Sequence, residues 1–467
     1  MSELSSVSSK RAELFYEQKN GYDIISDKER GEIDGYCKDY ALFLDQSRTE
    51  RLAFQAAMRL AEKNGFVHYT PGMKLKSGDK IYSSNRGKAI TLAVMGKRPL
   101  SEGAVIAASH IDSPRIDLKQ VPLYEDSELA FFKTHYYGGI RKYQWLSIPL
   151  ELHGVVALKD GTVIEVRIGC DKNDPVFVIT DLLPHLAADQ SKKPLSQAVP
   201  GESLNILIGS APSEDEGSDR VKLAVMMLLN DKYGIAEEDL LSAELCVVPA
   251  FETRDIGFDR SMMGGYGHDD RVCAYAGIKA MFDMGTVPEK TAVCILADKE
   301  EIGSEGVTGM QSSSFELFME ELCDSQGVKL GRCFANSLCI SADVCNGYDP
   351  NFPEVSEKRN NAKLNYGIAV VKYTGSRGKS GASDASAETV ARVRSVFANN
   401  NVIWQMGELG KVDQGGGGTV AMFMAKRNIE TIDAGVPVLS MHAPFEVVSK
   451  LDCYMTYKAL KAVYIDG

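Results

Sequence analysis

Gly103-Ala-Val-Ile-Ala-Ala-Ser109, running straight into His110-Ile-Asp-Ser-Pro114, is the stretch that decides the fold. An apolar run without polar alternation reads as a strand covered on both faces, and such strands belong to parallel sheets sandwiched by helices. It stops abruptly at a histidine followed by turn residues. The same texture returns after Ser242, with strands expected at 244–250, 291–297, 337–342 and 432–440, and helices between them, such as 270–284. Upstream, Ser47-Arg-Thr-Glu50 reads as a capping box. Leu52, Ala53, Ala56, Ala57, Leu60 and Ala61 then share one helical face until Asn64-Gly65 ends the helix.

Between 116 and 242 the pattern changes. Gly154-Val-Val-Ala-Leu and Thr162-Val-Ile-Glu-Val-Arg-Ile, with Asp160-Gly161 between them, predict a hairpin. Polar stretches at 189–194 and 213–218 read as loops. The simplest organisation is a discontinuous α/β domain, 1–115 and 243–467, whose mostly parallel sheet is sandwiched by helices, interrupted by a β-rich insert at 116–242.

The chain has 467 residues, 44% apolar and 25% charged, which suits a globular protein of two or three domains and excludes wholesale disorder. A net charge of -12 argues against nucleic acid or an anionic membrane as the main partner. No stretch approaches the roughly 20 apolar residues of a membrane span, and the opening MSELSSVSSKRAELFYEQKNGY has no apolar leader core. Ten cysteines without a CxxC, many in apolar stretches, read as reduced core thiols of a cytoplasmic protein.

The chemistry gathers at strand ends, where open α/β sheets build their sites. Of seven histidines, His110 and His442 each end an apolar strand. Asp269-Asp270 opens a helix after a Gly-rich turn, Glu300-Glu301 follows the strand at 291–297, and Asp343 closes the strand ending at Ala342. Two imidazoles and several carboxylates are ligand types for zinc, cobalt or manganese. Each feature alone is an ordinary loop residue; five such ends in one chain point to a metal centre. Gly415-Gly-Gly-Gly-Thr419 lacks the ending of a phosphate loop and reads as a tight turn beside the active site. Tyr136, Tyr137, Tyr143 and Trp145 read as core or interface.

Taken together, Ala107-Ala-Ser-His-Ile-Asp-Ser-Pro114, Ala297-Asp-Lys-Glu-Glu-Ile-Gly-Ser304, Ser341-Ala-Asp343 and Leu439-Ser-Met-His442 resemble the aspartyl aminopeptidase and vacuolar aminopeptidase I family of dinuclear zinc exopeptidases. The likeness runs from Phe43 through Tyr137-Gly-Gly139 to Gly417-Gly-Thr419, with motifs in the family's order. It implies a zinc exopeptidase-like catalytic domain, a dimerisation role for the insert, and a homo-oligomer built from dimers up to a dodecamer. The substrates it implies are peptides with a free N-terminus. It also implies two divalent ions, most simply zinc, with cobalt or manganese as alternatives. His110 and Asp343 would hold one ion, Glu301 and His442 the other, with Asp269 bridging. Glu300 would be the general base, and Asp112 would orient His110. Asp270 remains a competing bridge because the family's Leu-Asp-Asn is His268-Asp269-Asp270 here.

The same resemblance puts Lys379 near a substrate carboxylate and His185, in Leu183-Pro-His185-Leu, at a neighbouring subunit's substrate. Where aspartyl-specific members carry histidines after the metal-binding Asp, this chain reads Val-Cys-Asn-Gly-Tyr-Asp349. A preference for acidic first residues therefore stands beside a neutral, leucine-type alternative. A carboxypeptidase or deacylase on a similar centre is the rival enzyme. A catalytically idle assembly or cargo protein is the rival class, which a free base beside metal ligands disfavours.

Overall fold

The computed structural model describes residues 10, 11 and 13–467; the opening residues 1–9, read above for a leader, and Ala12 lie outside them. Among the described residues, no helix is long and apolar enough to cross a membrane.

A nine-stranded sheet forms the centre, in the order Val67–His68, Lys80–Asn85, Ala89–Val94, Thr291–Ala297, Ala104–His110, Leu338–Ser341, Glu430–Gly435, Ile368–Val371 and Trp404–Met406. The four strands from Thr291–Ala297 to Glu430–Gly435 run parallel to one another. Antiparallel pairs flank them. Alternation explains the two-sided cover. Val105 and Ala107 face one apolar cluster with helices Asp27–Gln46, Glu50–Lys63, His268–Phe282, Ala387–Asn399 and Lys450–Asp466. Ala104, Ile106 and Ala108 face a second cluster with helix Ser314–Asp324. The buried central strand is therefore apolar on both sides, as its sequence requires.

The second sheet is antiparallel throughout, in the order Val163–Ile168, Leu150–Ala157, Ala243–Pro249, Arg115–Asp126, Leu129–Tyr137 and Ile206–Gly209. The hairpin expected around Asp160-Gly161 is there. The sheet also takes in Ala243–Pro249, which the sequence reading placed in the returning α/β part. Its fully buried inner residues made it look like a parallel strand, but here the cover is a sheet face packed around Trp145 and Ile116. Of the four clustered aromatics, Trp145 and Tyr137 are buried, while Tyr136 and Tyr143 are exposed.

Other expectations need correction. Thr49, not Ser47, caps helix Glu50–Lys63, accepting from the Leu52 amide at 3.3 Å. Ser47 ends the preceding helix, and Glu50 is drawn instead to Arg115 at 3.0 Å. The single strand expected at 432–440 is two. Glu430–Gly435 belongs to the nine-stranded sheet. Pro437, which has no amide to donate, opens Pro437–Leu439 in a third sheet with Arg254–Ile256, Met262–Gly265, Glu446–Ser449 and Cys345–Asn346. All ten cysteines are unpaired, and only Cys170 is exposed.

Candidate metal centre

The centre is assembled where the three sheets meet. His110 ends its strand, and only Ile111–Pro114 separates it from the antiparallel strand beginning at Arg115. Four residues thus carry the chain from one sheet to the other, and Asp112 and Ser113 lie among them. The helix His268–Phe282 is interrupted at Asp269 and Asp270, whose ψ angles of 109° and 25° are not helical. That break turns Asp269 away from the helix and into the site, and its carbonyl accepts from Ser113 Oγ at 2.5 Å.

Asp269 faces both histidines. Its Oδ1 is 3.1 Å from His110 Nε2 and its Oδ2 is 3.1 Å from His442 Nε2. Asp343 Oδ1 and Glu300 Oε2 approach His110 Nε2 at 3.8 and 3.9 Å, and Glu301 Oε2 approaches His442 Nε2 at 3.4 Å. Three overlapping ligand groups result: His110/Asp269/Asp343 and Asp269/Glu301/His442, which share Asp269, and His110/Glu300/Glu301. Asp270 joins none of them; its Oδ2 accepts from the His110 amide at 3.2 Å. Of the two bridge candidates, Asp269 is the one whose carboxylate faces both imidazoles.

Asp112 is wholly buried and used on every side. Its Oδ1 lies 3.2 Å from His110 Nδ1 and accepts from the Glu300 amide at 3.1 Å. Its Oδ2 accepts from the Glu301 amide at 3.2 Å and from the Tyr137 hydroxyl at 2.8 Å. The Asp112 backbone carbonyl, 3.0 Å from His110 Nδ1, shares the alignment of the histidine, and the carboxylate holds the turn Glu300–Ile302 as well. His442 is held from elsewhere, its Nδ1–H donating to the Gly139 carbonyl at 2.8 Å.

Glu446 was not anticipated. Its buried carboxylate accepts from the His442 amide at 2.7 Å and the Asp269 amide at 3.1 Å, tying two ligand-bearing turns together. The only sequence signal was an acid four residues after His442. His268, a tempting third ligand, is instead bonded through Nδ1 to the Tyr40 hydroxyl at 2.7 Å, and burial lowers its pKa to about 3.

The electrostatics ask for cations. Burial, then the neighbouring Asp269 and Asp112 charges, push the Glu300 carboxyl up to about 7. Burial and then Asp269 raise Glu301 likewise. Burial works to lower His442, but Asp269 and Glu301 outweigh it and bring it to about 10. Among the described residues, no lysine or arginine forms an ion pair with Asp269, Glu300, Glu301 or Asp343. Glu301 Oε1 is buried with no hydrogen-bond donor. Crowded carboxylates facing imidazoles, with an orphaned oxygen and no lysine or arginine paired to them, are a donor set that fits divalent metal.

The two remaining candidates lie apart from this cluster. Lys379 sits in a surface loop, its Nζ 3.2 Å from Asp384 and 4.0 Å from the centre of the Tyr373 ring. His185 is exposed in the turn Pro184–Leu186. The Gly415–Thr419 stretch packs against the Lys379 loop, with Gly375 donating to the Gly417 carbonyl at 2.7 Å. A Cβ on Gly416 would lie 1.8 Å from the Gly375 carbonyl oxygen, so that crossing admits only glycine.

Known proteins repeat this chain nearly end to end. A probable M18 family aminopeptidase 1 of Clostridium acetobutylicum is 49% identical over 459 residues, covering 96% of this chain and 98% of that protein. The crystal structure of an M18 family aminopeptidase from Thermotoga maritima superposes with a TM-score of 0.93 at 44% identity, over 97% of this chain and all of that one. The fold extends to the S. cerevisiae mApe1 dodecamer, at a TM-score of 0.75 and 20% identity, over 92% of this chain and 96% of that one. The family described as aminopeptidase I zinc metalloprotease (M18) matches residues 43–464. With that span and that centre, the chain belongs to the aminopeptidase I (M18) family of zinc metalloproteases and is an aminopeptidase of that family.

Proposed function

We propose that the centre takes two divalent ions, zinc by preference, and that the chain uses them to release the first residue of peptides with a free amino terminus. The observation that carries this reading is Asp269, whose two oxygens face two different imidazoles at the same 3.1 Å. His110 and Asp343 serve one ion, Glu301 and His442 the other, with Asp269 shared. When bound, such a pair polarises the scissile carbonyl and makes water acidic enough to attack near neutral pH.

The protein's own groups do the rest. Asp112 fixes the ring of His110 and, through two backbone amides, the turn bearing Glu300 and Glu301. Glu300, buried and without a hydrogen-bonded cation, takes the proton from the attacking water and passes it to the leaving amine. Glu446 keeps the turns of Asp269 and His442 in register.

His185 is proposed to reach a neighbouring subunit, donating a hydrogen bond to the substrate oxygen that gains charge. Support comes from its exposure beside Leu182, Leu183 and Leu186, also exposed, as an interface would require. A homo-oligomer built from dimers follows, and the dodecamer of the yeast relative makes twelve subunits the reading to test. Unpaired cysteines throughout support a cytoplasmic setting. The engagement of Lys379 by Asp384 leaves less cation for an acidic first residue, which favours the neutral-preferring alternative.

Glu300→Gln and Glu301→Gln together test the assignment. The first should lower turnover by roughly 10²–10⁴-fold with metal content near normal. The second should lose metal. Two variants that both keep full metal would overturn the division of roles.

A further inference from the structure

The second ligand-bearing cluster lies in the antiparallel sheet, away from the strand ends. Glu151 and His153 sit two apart on Leu150–Ala157 and so share a face, and both side chains are buried. The partner strand ends at Ile168, opposite Leu152. Gly169 then crosses tightly over Glu151 at a φ of +103°, where a Cβ would lie 2.7 Å from Glu151 Cβ. That crossing brings Cys170, the one exposed cysteine, back over the pair.

The distances are those of ligands around one ion. Glu151 Oε1 is 3.0 Å and Cys170 Sγ is 3.7 Å from His153 Nε2. Bonds of about 2.0–2.3 Å in a tetrahedron separate neighbouring ligands by about 3.3–3.6 Å. Glu151 Oε1 is buried and takes no hydrogen bond, despite lying 3.0 Å from His153 Nε2 and 3.2 Å from Arg48 Nε. The oxygen and the ring nitrogen meet side by side, not donor to acceptor. His153 Nδ1 is also unpartnered, and the ring's only hydrogen bond is the long one between Nε2 and Cys170 Sγ. A cavity of 780 Å³, lined in part by Glu151, Cys170, Asp171 and Asp174, opens on the cluster and leaves room for a fourth ligand.

We propose that Glu151, His153 and Cys170 form an additional metal site in the insert sheet, for a thiophilic divalent ion such as zinc. A thiolate and an imidazole select against magnesium and calcium. Binding releases the thiol proton to solvent, and thiolate and carboxylate then balance the ion's two charges while Arg48 steadies Glu151. The ion would pin the Cys170 turn to the strand beneath it.

Cobalt reports this site alone, because the strand-end centre offers only oxygen and nitrogen. Full-length protein in its native assembly, reduced and stripped of metal, is titrated with cobalt(II). The expected result is a near-ultraviolet thiolate-to-cobalt charge-transfer band that saturates at one ion per chain. The band should vanish in Cys170→Ser, which keeps wild-type peptidase activity as its check on folding, and survive in His110→Ala. Zinc analysis should find one ion fewer in Cys170→Ser. A wild-type protein without the band, or a band and zinc count unchanged by Cys170→Ser, would overturn the proposal.

Discussion

The two imidazoles facing Asp269 are held in opposite ways. His110 has a side chain 1% exposed and is fixed by Asp112, two residues away on the same stretch of chain. His442 is 34% exposed, and its ring is fixed by the carbonyl of Gly139, just beyond a strand of the antiparallel sheet. One half of the centre is thus made by the parallel sheet and the turn that leaves it, with the antiparallel sheet reaching it only indirectly, through the Tyr137 hydroxyl on Asp112. The other is completed from the insert, which sets the tautomer of a candidate ligand. The insert is therefore part of the site's construction as well as a candidate surface between subunits.

Removing what the halves share should have the largest effect. Asp269→Ala should strip metal from both sides and drop peptide cleavage on the order of 10⁴-fold or more, toward the uncatalysed rate. Metal analysis alongside rates checks it; loss from one half only would mean that Asp269 is no bridge.

The next effect tests whether the insert also reaches another subunit. His185→Ala should lower turnover by roughly 10²–10³-fold if it supplies a hydrogen bond to the charged oxygen. Mixed dimers of His185→Ala and Glu300→Ala subunits should recover a fraction of wild-type activity, because one site then keeps both residues. Verified mixed dimers with no recovery would confine His185 to its own subunit or remove it from the chemistry.

Asp112→Asn should act mainly on the enclosed half, weakening metal there about 10–100-fold. Chelator competition should show the His442 half less affected. Equal weakening of both would erase the contrast drawn above.

The smallest effect concerns how the sheets are joined. Glu244, on the antiparallel strand Ala243–Pro249, pairs with Arg51 Nη2 at 2.5 Å and Lys88 Nζ at 2.8 Å, both in the α/β part. Burial works to raise its pKa, but Lys88 and Arg51 outweigh that and hold it at about 2. Its contribution is present above the usual carboxylate pKa and fades as pH falls through about 2. Because the pair is half exposed, Glu244→Gln should cost about 1 kcal/mol near neutrality. Urea melts should show the gap to wild type closing as pH falls below about 4.5 toward 2.

The residue pattern alone determined the central strands and the ends that matter. Apolar runs such as 104–110 and 291–297 can only be buried on both faces, and a histidine or acid that ends such a run must sit at the sheet's edge. That His110, Glu300, Glu301 and Asp343 would come together was legible for that reason, and the place of Asp112 beside them through the family's motif. Apolarity does not say what covers a strand, so Ala243–Pro249 was assigned to the wrong sheet and 432–440 was not seen to divide. That Asp269 and not Asp270 faces both imidazoles depended on a break in a helix that composition does not encode. The roles of Glu446 and Gly139 depended on partners 177 and 303 positions away. Contacts of that range exist only once three sheets have packed, because it is packing that decides which backbone amides and carbonyls a buried carboxylate or imidazole can reach.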